Sequence, residues 1–411
     1  MPDPTIAYLR SPQAIRERCG QLFDLACADQ LRYFRCDLDR LPAVADYVLQ
    51  VTRQHYSDLN VPFHSRWRHF EVGSLPRLTV LEAQLAALSP IAKAKAKFDL
   101  AIVSVLLDAG AGDQWQYRES ETGEVFRRSE GLAVASFQMF QQGLFSSDAN
   151  QPLQVDAIAL QQITEATLSQ GFQASATNPL VGITGRTELL QKLGQTLTCY
   201  PHLFSSITPR PGDLIDYLLT QTQNNELSAS TVLAAILEGL SNIWPGRITF
   251  AGINLGDVWH HPALSPTSPI SPTSLIPFHK FSQWLTYSLL EPLQELGLTI
   301  TGLDHLTGLP EYRNGGLCLD LGLLQLHDRS LLQQAHLPGS ELIVEWRALT
   351  VILLDLIADT LRQTLGMTAT ELPLVKVLQG GTWTAGRQIA AELRPPHGLP
   401  PIQIQSDGTV F

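Results

Sequence analysis

The stretch Ile276–Leu324, IPFHKFSQWLTYSLLEPLQELGLTITGLDHLTGLPEYRNGGLCLDLGLL, decides how the chain is read. Phe278, Phe281, Leu285 and Leu289 recur at helical spacing and form an apolar stripe, so the first half reads as a helix. Lys280, Gln283, Trp284 and Tyr287 fall on the opposite side. Pro277 suits the first turn, and Pro292 is expected to end or kink the helix. PEYRNGGL, Pro310 to Leu317, then reads as an ordered turn with proline before it and paired glycine after. It presents Glu311, Tyr312, Arg313 and Asn314. A carboxylate, a phenol, a guanidinium and an amide in succession can hold a polyol or sugar. The plainer alternative is a surface turn with an Arg–Glu pair.

The rest of the chain sets limits on what this stretch can serve. With 411 residues there is enough chain for a sizeable core, and with 44% hydrophobic and 16% charged residues it is well buried. A net charge of −11 argues against binding duplex nucleic acid, which needs lysines and arginines to displace counterions. Cys19, Cys27, Cys36, Cys199 and Cys318 show no CxxC pair and no metal-ligand spacing, which fits a reducing cytoplasm. The first residues, MPDPTIAYLRSP, lack a secretion-signal pattern, and no apolar run approaches the roughly 20 residues that span a bilayer. The expectation is a cytoplasmic protein that binds neither membrane nor nucleic acid.

Taken in order, residues 11–57 read as two helices, the second from about Pro42 to Tyr56. NVPFHSRWRHFEVG, Asn60 to Gly73, is dense in cation and aromatic; its Arg66, Trp67 and Arg68 suit a phosphate or a planar ligand, or pair with surface acids. KFDLAIVSVLLDAGAG, Lys97 to Gly112, is apolar nearly all round and reads as a buried helix with Asp108 at the rim of the core. Asp108 either caps a neighbour or lines a site. Gln114 to Gly131 is a hairpin-like excursion, and GLAVASFQMFQQG is a further helix. Residues 155–250 carry helices at Val155–Gln170, Arg186–Thr198, Asp213–Thr222 and Ser230–Asn242. LSPTSPISPTS, Leu264 to Ser274, is a low-complexity solvated loop.

In ELIVEWRALTVILLDLIADTLRQ, Glu341, Glu345, Asp355 and Asp359 share one face of a long helix; a solvated face explains most of them, and the alternative for Glu345 is that it reaches a pocket. Gly380, Gly381 and Thr382 precede a short helix with Arg387; their amides are either a phosphate cradle or a plain Thr cap. GDVWHH, with Asp257, His260 and His261, hints at a metal, but adjacent histidines on a helix do not face one ion. No metal and no cofactor are expected. No strand pattern recurs, so the expected fold is mainly α, with small hairpin excursions, in one large domain over 1–411. Within it, 1–112 forms an N-terminal helical subregion, 130–365 the core and 366–411 a tail.

Six segments, HSRWRHFEVG, KFDLAIVSVLLDAGAG, RSEGLAVASF, LPEYRNGGL, GGTWTAGR and SDGTVF, resemble the uracil-catabolism family that includes fungal uracil-regulated proteins. The resemblance spans nearly the whole chain and implies a role in breaking down uracil after ring opening, at the level of a ribosylurea-type intermediate. More distantly, the order of elements is similar to queuosine-salvage glycosidases, which have a helical DNA-glycosylase-like fold. FHKFSQ, Phe278 to Gln283, resembles their Phe-Tyr-Lys helix start with its following glutamine. PEYR stands for their Ala-Asp-Tyr-Arg turn, Glu345-Trp346-Arg347 for their Glu-Ile-Arg, and Leu107-Asp108 with Trp115 for their buried helix and tryptophan. Glu311 is one methylene longer than the aspartate it replaces, and Ser288 stands where they carry a further aspartate.

These resemblances imply hydrolysis of an N-glycosidic bond between ribose and a ring-opened pyrimidine fragment, with or without a 5′-phosphate. Glu311 is the expected carboxylate, with Asp304 and Asp108 in reserve. The expected substrate-binding set is Lys280, Gln283, His279, Tyr287, Tyr312, Arg313, Asn314, Arg66, Trp67, Arg68 and Trp115. The partner is then a nucleoside- or ribosylurea-like small molecule, with oligomeric state left open. The alternative is a non-catalytic protein that senses a uracil-derived metabolite.

Overall fold

The computed structural model describes residues 3–205, 207–244, 247–265 and 271–405. Helices dominate, and every sheet among the described residues has two strands, so the fold is mainly α as expected. The expected loop Leu264–Ser274 lies partly outside the described residues, and its last residue, Ser274, is buried. No helix among the described residues is long and apolar enough to cross a membrane. The described residues divide into two compact units, each assembled from separated segments: those of 3–64, 247–283 and 302–405 in the first, and those of 65–244 and 284–301 in the second.

In the first unit, the 25-residue helix Glu341–Leu365 packs against the helices Pro12–Cys27, Leu41–His55 and Tyr312–Asp320. Pro12–Cys27 starts as its sequence dictates: Pro12 occupies the first turn and the Ser11 side chain accepts from the Ala14 amide at 3.1 Å. The antiparallel pair Val258–His260 with Leu275–Pro277 leads into the helix Lys280–Glu295. Pro277 is therefore a strand residue, not the first turn of that helix. Its ring locks φ in a range that an edge strand also accepts.

Glu345 is buried while Asp359 is exposed, so the face shared with Glu341 and Asp355 is not solvated throughout. Gly380, Gly381 and Thr382 sit in a π-helical turn, Leu378–Thr382, that runs directly into the helix Trp383–Leu393. Their amides therefore do not open a helix, and no Thr382 side-chain cap forms.

The second unit holds the helices Pro90–Leu106, Arg128–Gln141, Ile183–Cys199 and Ala229–Leu240, and an antiparallel hairpin, Gln116–Arg118 with Val125–Arg127. Pro90–Leu106 is buried from Lys97 to its end. Its Asp99, fully buried, accepts from the Val155 amide at 3.0 Å, the Gly212 amide at 2.7 Å and the Arg210 guanidinium, and so ties three chain segments together.

The helix Lys280–Glu295 is buried on all sides from Lys280 to Leu290, so its two expected faces do not differ in exposure. It also continues through Pro292. A proline there lacks the N–H that would bond to the carbonyl four residues back. The Trp67 indole donates to that carbonyl, on Ser288, at 2.7 Å and takes the place of the missing amide.

Two buried polar clusters as candidate functional sites

The first cluster surrounds the start of two helices in the first unit. Glu311, Tyr312, Arg313 and Asn314 do not form a turn: Glu311 is the N-cap of the helix Tyr312–Asp320. Its carboxylate accepts from the Arg313 amide and the Asn314 amide, each at 2.7 Å. The glycines expected to close a turn are interior helix residues. A Cβ on Gly315 would stand 2.7 Å from the Trp346 Nε1, so the position is set by close packing.

Glu311 is buried, at 8% exposure, so it is not a surface residue paired with Arg313. Burial raises its pKa against the lowering pull of the two amides and of Lys280. Lys280 is also 8% exposed, with Nζ 4.3 Å from the Phe281 ring centroid. The Asn314 Nδ2 donates to the Leu309 carbonyl at 3.0 Å, while its Oδ1 is buried without a partner among the described residues.

Beside this lies a closed strut. Asp257 meets Arg347 in a two-pronged pair at 2.8 and 2.7 Å. It also accepts from the Trp259 indole at 2.7 Å and the Lys280 amide at 3.0 Å. Burial pushes the Asp257 pKa up, but Arg347 and these donors outweigh it and hold the carboxyl well below its usual range. The Arg347 guanidinium lies 4.1 Å from the Phe278 ring centroid.

Other expected ligands are engaged nearby. Gln283 bonds the Thr307 hydroxyl and accepts from the Thr307 amide at 2.8 Å. His279, at φ 47°, donates from Nε2 to the Leu9 carbonyl at 2.8 Å, and burial lowers its pKa. Arg313 donates to the Gly398 carbonyl at 2.8 Å and stacks near the half-buried Tyr312. Asp304 is exposed on a short 3-10 turn, Leu303–His305.

His261, Glu341 and Glu345 place one ligand atom each within 4.8 Å of one another. His260 ends a strand and His261 follows it, so neither lies on a helix: Val258–His260 pairs in a sheet. The His261 Nδ1 accepts from the Ala263 amide at 3.2 Å, which leaves the proton on Nε2, 3.5 Å from Glu345 Oε1. A metal on Nε2 would need the lone pair there and would turn an Nδ1–H toward the Ala263 amide. At 3.5 Å the His261 Nε2 and the Glu345 Oε1 make no hydrogen bond, and both are buried without a partner among the described residues.

The second cluster lies in the second unit. Arg66 is fully buried, and its Nη1 reaches Asp108 Oδ1 at 3.0 Å, Ser129 Oγ at 3.2 Å and His69 Nδ1 at 3.2 Å. Its Nε donates to Ser104 Oγ at 2.7 Å. Ser129 donates to the Asp108 carboxylate, whose oxygens lie at 2.8 and 2.7 Å. Burial pulls the Arg66 pKa down while Asp108 pulls it up.

Of the remaining expected ligands in this unit, Trp67 is buried and bonded to Ser288, and Arg68 pairs with Glu291 at 2.8 Å and Glu71 at 3.0 Å. Trp115 is core, with its indole donating to the Phe172 carbonyl at 3.0 Å, and Tyr287 is fully buried. Ser129 was missed in the sequence because nothing local marks a serine that a distant arginine will meet.

A mainly helical protein with a buried polar cluster in each of two units is the class these features define. Its sequence matches, over residues 8–411, the family described as "Protein of unknown function (DUF1688)", and the chain belongs to that family. It is 41% identical over 418 residues to "Protein urg3" of Schizosaccharomyces pombe, with all of both chains covered. It is 38% identical over 440 residues to "Uracil catabolism protein 4" of Lachancea kluyveri, covering all of this chain and 99% of that one. The family resemblance read from the six segments is thus borne out.

Proposed function

We propose that this protein acts in uracil catabolism and hydrolyses the N-glycosidic bond of a ribosylurea-type, ring-opened uracil derivative, with or without a 5′-phosphate. The pathway rests on the relative named for uracil catabolism, which matches the chain end to end. The reaction rests on Glu311: a buried carboxylate aimed by two backbone amides, with a further lone pair left on each oxygen. Cleavage of an N-glycosidic bond builds positive charge on the sugar carbon. A carboxylate fixed in a water-poor site stabilises that charge and draws a proton from the attacking water. Burial raises the Glu311 pKa, in the direction a general base near neutral pH requires. Lys280 supplies a cation in the same cluster for a phosphate or for the leaving group. Arg313 and Gln283 act as positioning residues, because both are bonded to the chain around them.

One observation favours a second reading, a metabolite sensor without turnover: both Glu311 oxygens already serve as a helix cap. Incubation with synthetic ribosylurea, with and without phosphate, separates the two. Release of urea or ribose over many turnovers is expected, while saturable binding without product overturns the enzyme reading. Glu311→Gln should cut turnover by about 10²–10⁴. It should also lower the melting temperature, because an amide nitrogen replaces one cap acceptor at a cost of about 0.5–2 kcal/mol. Turnover is therefore measured well below the melting point of the variant; wild-type rates there would remove Glu311 from the chemistry.

A further inference from the structure

The head of the helix Arg128–Gln141 has features that capping alone does not require. The strand Val125–Arg127 enters it through Arg128 at φ 53°, a conformation that costs a non-glycine residue about 1–3 kcal/mol. Gly131 lets strand and helix close on each other, since a Cβ there would stand 2.9 Å from the Phe126 carbonyl oxygen. This bend carries Ser129, half-buried, to Asp108, whose side chain keeps 9% of its surface exposed. Arg66 stands behind them, fully buried. Its Nη1 has Asp108, Ser129 and His69 to bond, whereas its Nη2 is enclosed and makes no hydrogen bond among the described residues. A buried guanidinium N–H without an acceptor is costly, and native structures seldom keep one without use.

We propose that Arg66, Asp108 and Ser129 form a binding site for a neutral carboxamide-type group, that is, an amide, ureide or imide. Its carbonyl oxygen accepts from Arg66 Nη2, and its N–H donates to Asp108. The charge balance excludes the phosphate expected from the arginines alone: Asp108 stands 3.0 Å from Arg66, and Glu130 acts on the same guanidinium. A dianion would meet carboxylates, whereas a group with one acceptor beside one donor matches both partners. The Arg66 guanidinium lies 5.5 Å from the Trp284 ring centroid and His69 lies 5.6 Å from it, so an aromatic wall borders the cluster. The proposal does not rest on the Glu311 reading.

Isothermal titration of the full chain with N-methylurea, uracil and inorganic phosphate tests it. Saturable binding of N-methylurea or uracil, and none of phosphate, is expected. Ser129→Ala should weaken that binding about tenfold. Asp108→Asn should lose it and, with Arg66 no longer balanced, take up phosphate. Failure of wild type to bind either carboxamide probe overturns the proposal. So does binding that Ser129→Ala and Asp108→Asn leave unchanged, or that Glu311→Gln alone abolishes.

Discussion

Arg347 in the first unit and Arg66 in the second are both buried, and both face a carboxylate. Arg347 makes a two-pronged pair with Asp257, and that carboxylate also holds the Trp259 indole and the Lys280 amide. Arg66 divides one nitrogen among Asp108, Ser129 and His69 and leaves the other without an acceptor. The first arrangement is saturated and joins a strand end to two helices. The second is short of one acceptor, is reached by half-buried groups and lies next to a strained residue. A satisfied buried pair is most simply a strut, whereas an unsatisfied one calls for a partner from outside.

The contrast can be broken most sharply at Arg347. Arg347→Met leaves the half-buried Asp257 without its counter-charge, and the expected loss is up to about 3–5 kcal/mol in denaturant unfolding. The same pair has a pH signature. The Asp257 pKa is lowered in the folded chain, so the unfolded chain binds the proton more readily. The stability it contributes is present above the usual carboxylate range and drains away as pH falls below about 4. Unfolding curves from pH 7 to pH 3 should show that fall in wild type, with a smaller one in Arg347→Met. Equal stability of the two proteins at neutral pH would mean that the pair is no strut.

A smaller effect belongs to Trp67, placed in the second unit as the stand-in for a missing helix amide. Trp67→Phe should cost about 1–3 kcal/mol through an unpaired Ser288 carbonyl, besides lost packing. Pro292→Ala restores an amide that can bond that carbonyl, so the tryptophan should matter less in its background. A double-mutant cycle reads the coupling directly, and a value near zero would sink the substitution account. Smallest of all is Asp304→Asn: Asp304 is exposed, and both stability and turnover should stay within error of wild type. A turnover loss there as large as that of Glu311→Gln would move the carboxylate assignment to Asp304.

The sequence by itself determined the helical character of the chain. Apolar residues at helical spacing, prolines in first turns and serine caps act within a few residues, so helices such as Pro12–Cys27 and Pro90–Leu106 were legible. It also marked which segments carry polar groups: Glu311, Lys280, Arg66 and Asp108 were all singled out. Tertiary structure decided what each of those groups meets. PEYR reads locally as a turn, but Glu311 caps a helix whose Gly315 is required by Trp346, a residue far along the chain. Pro292 reads as a helix end, but Trp67 supplies the bond its ring cannot. Asp257 and Arg347 lie 90 positions apart, as do many partners of a buried charge. Local propensity acts over one or two turns of chain, whereas satisfying a buried charge draws on whatever the fold brings within about 3 Å, and no sequence window contains that.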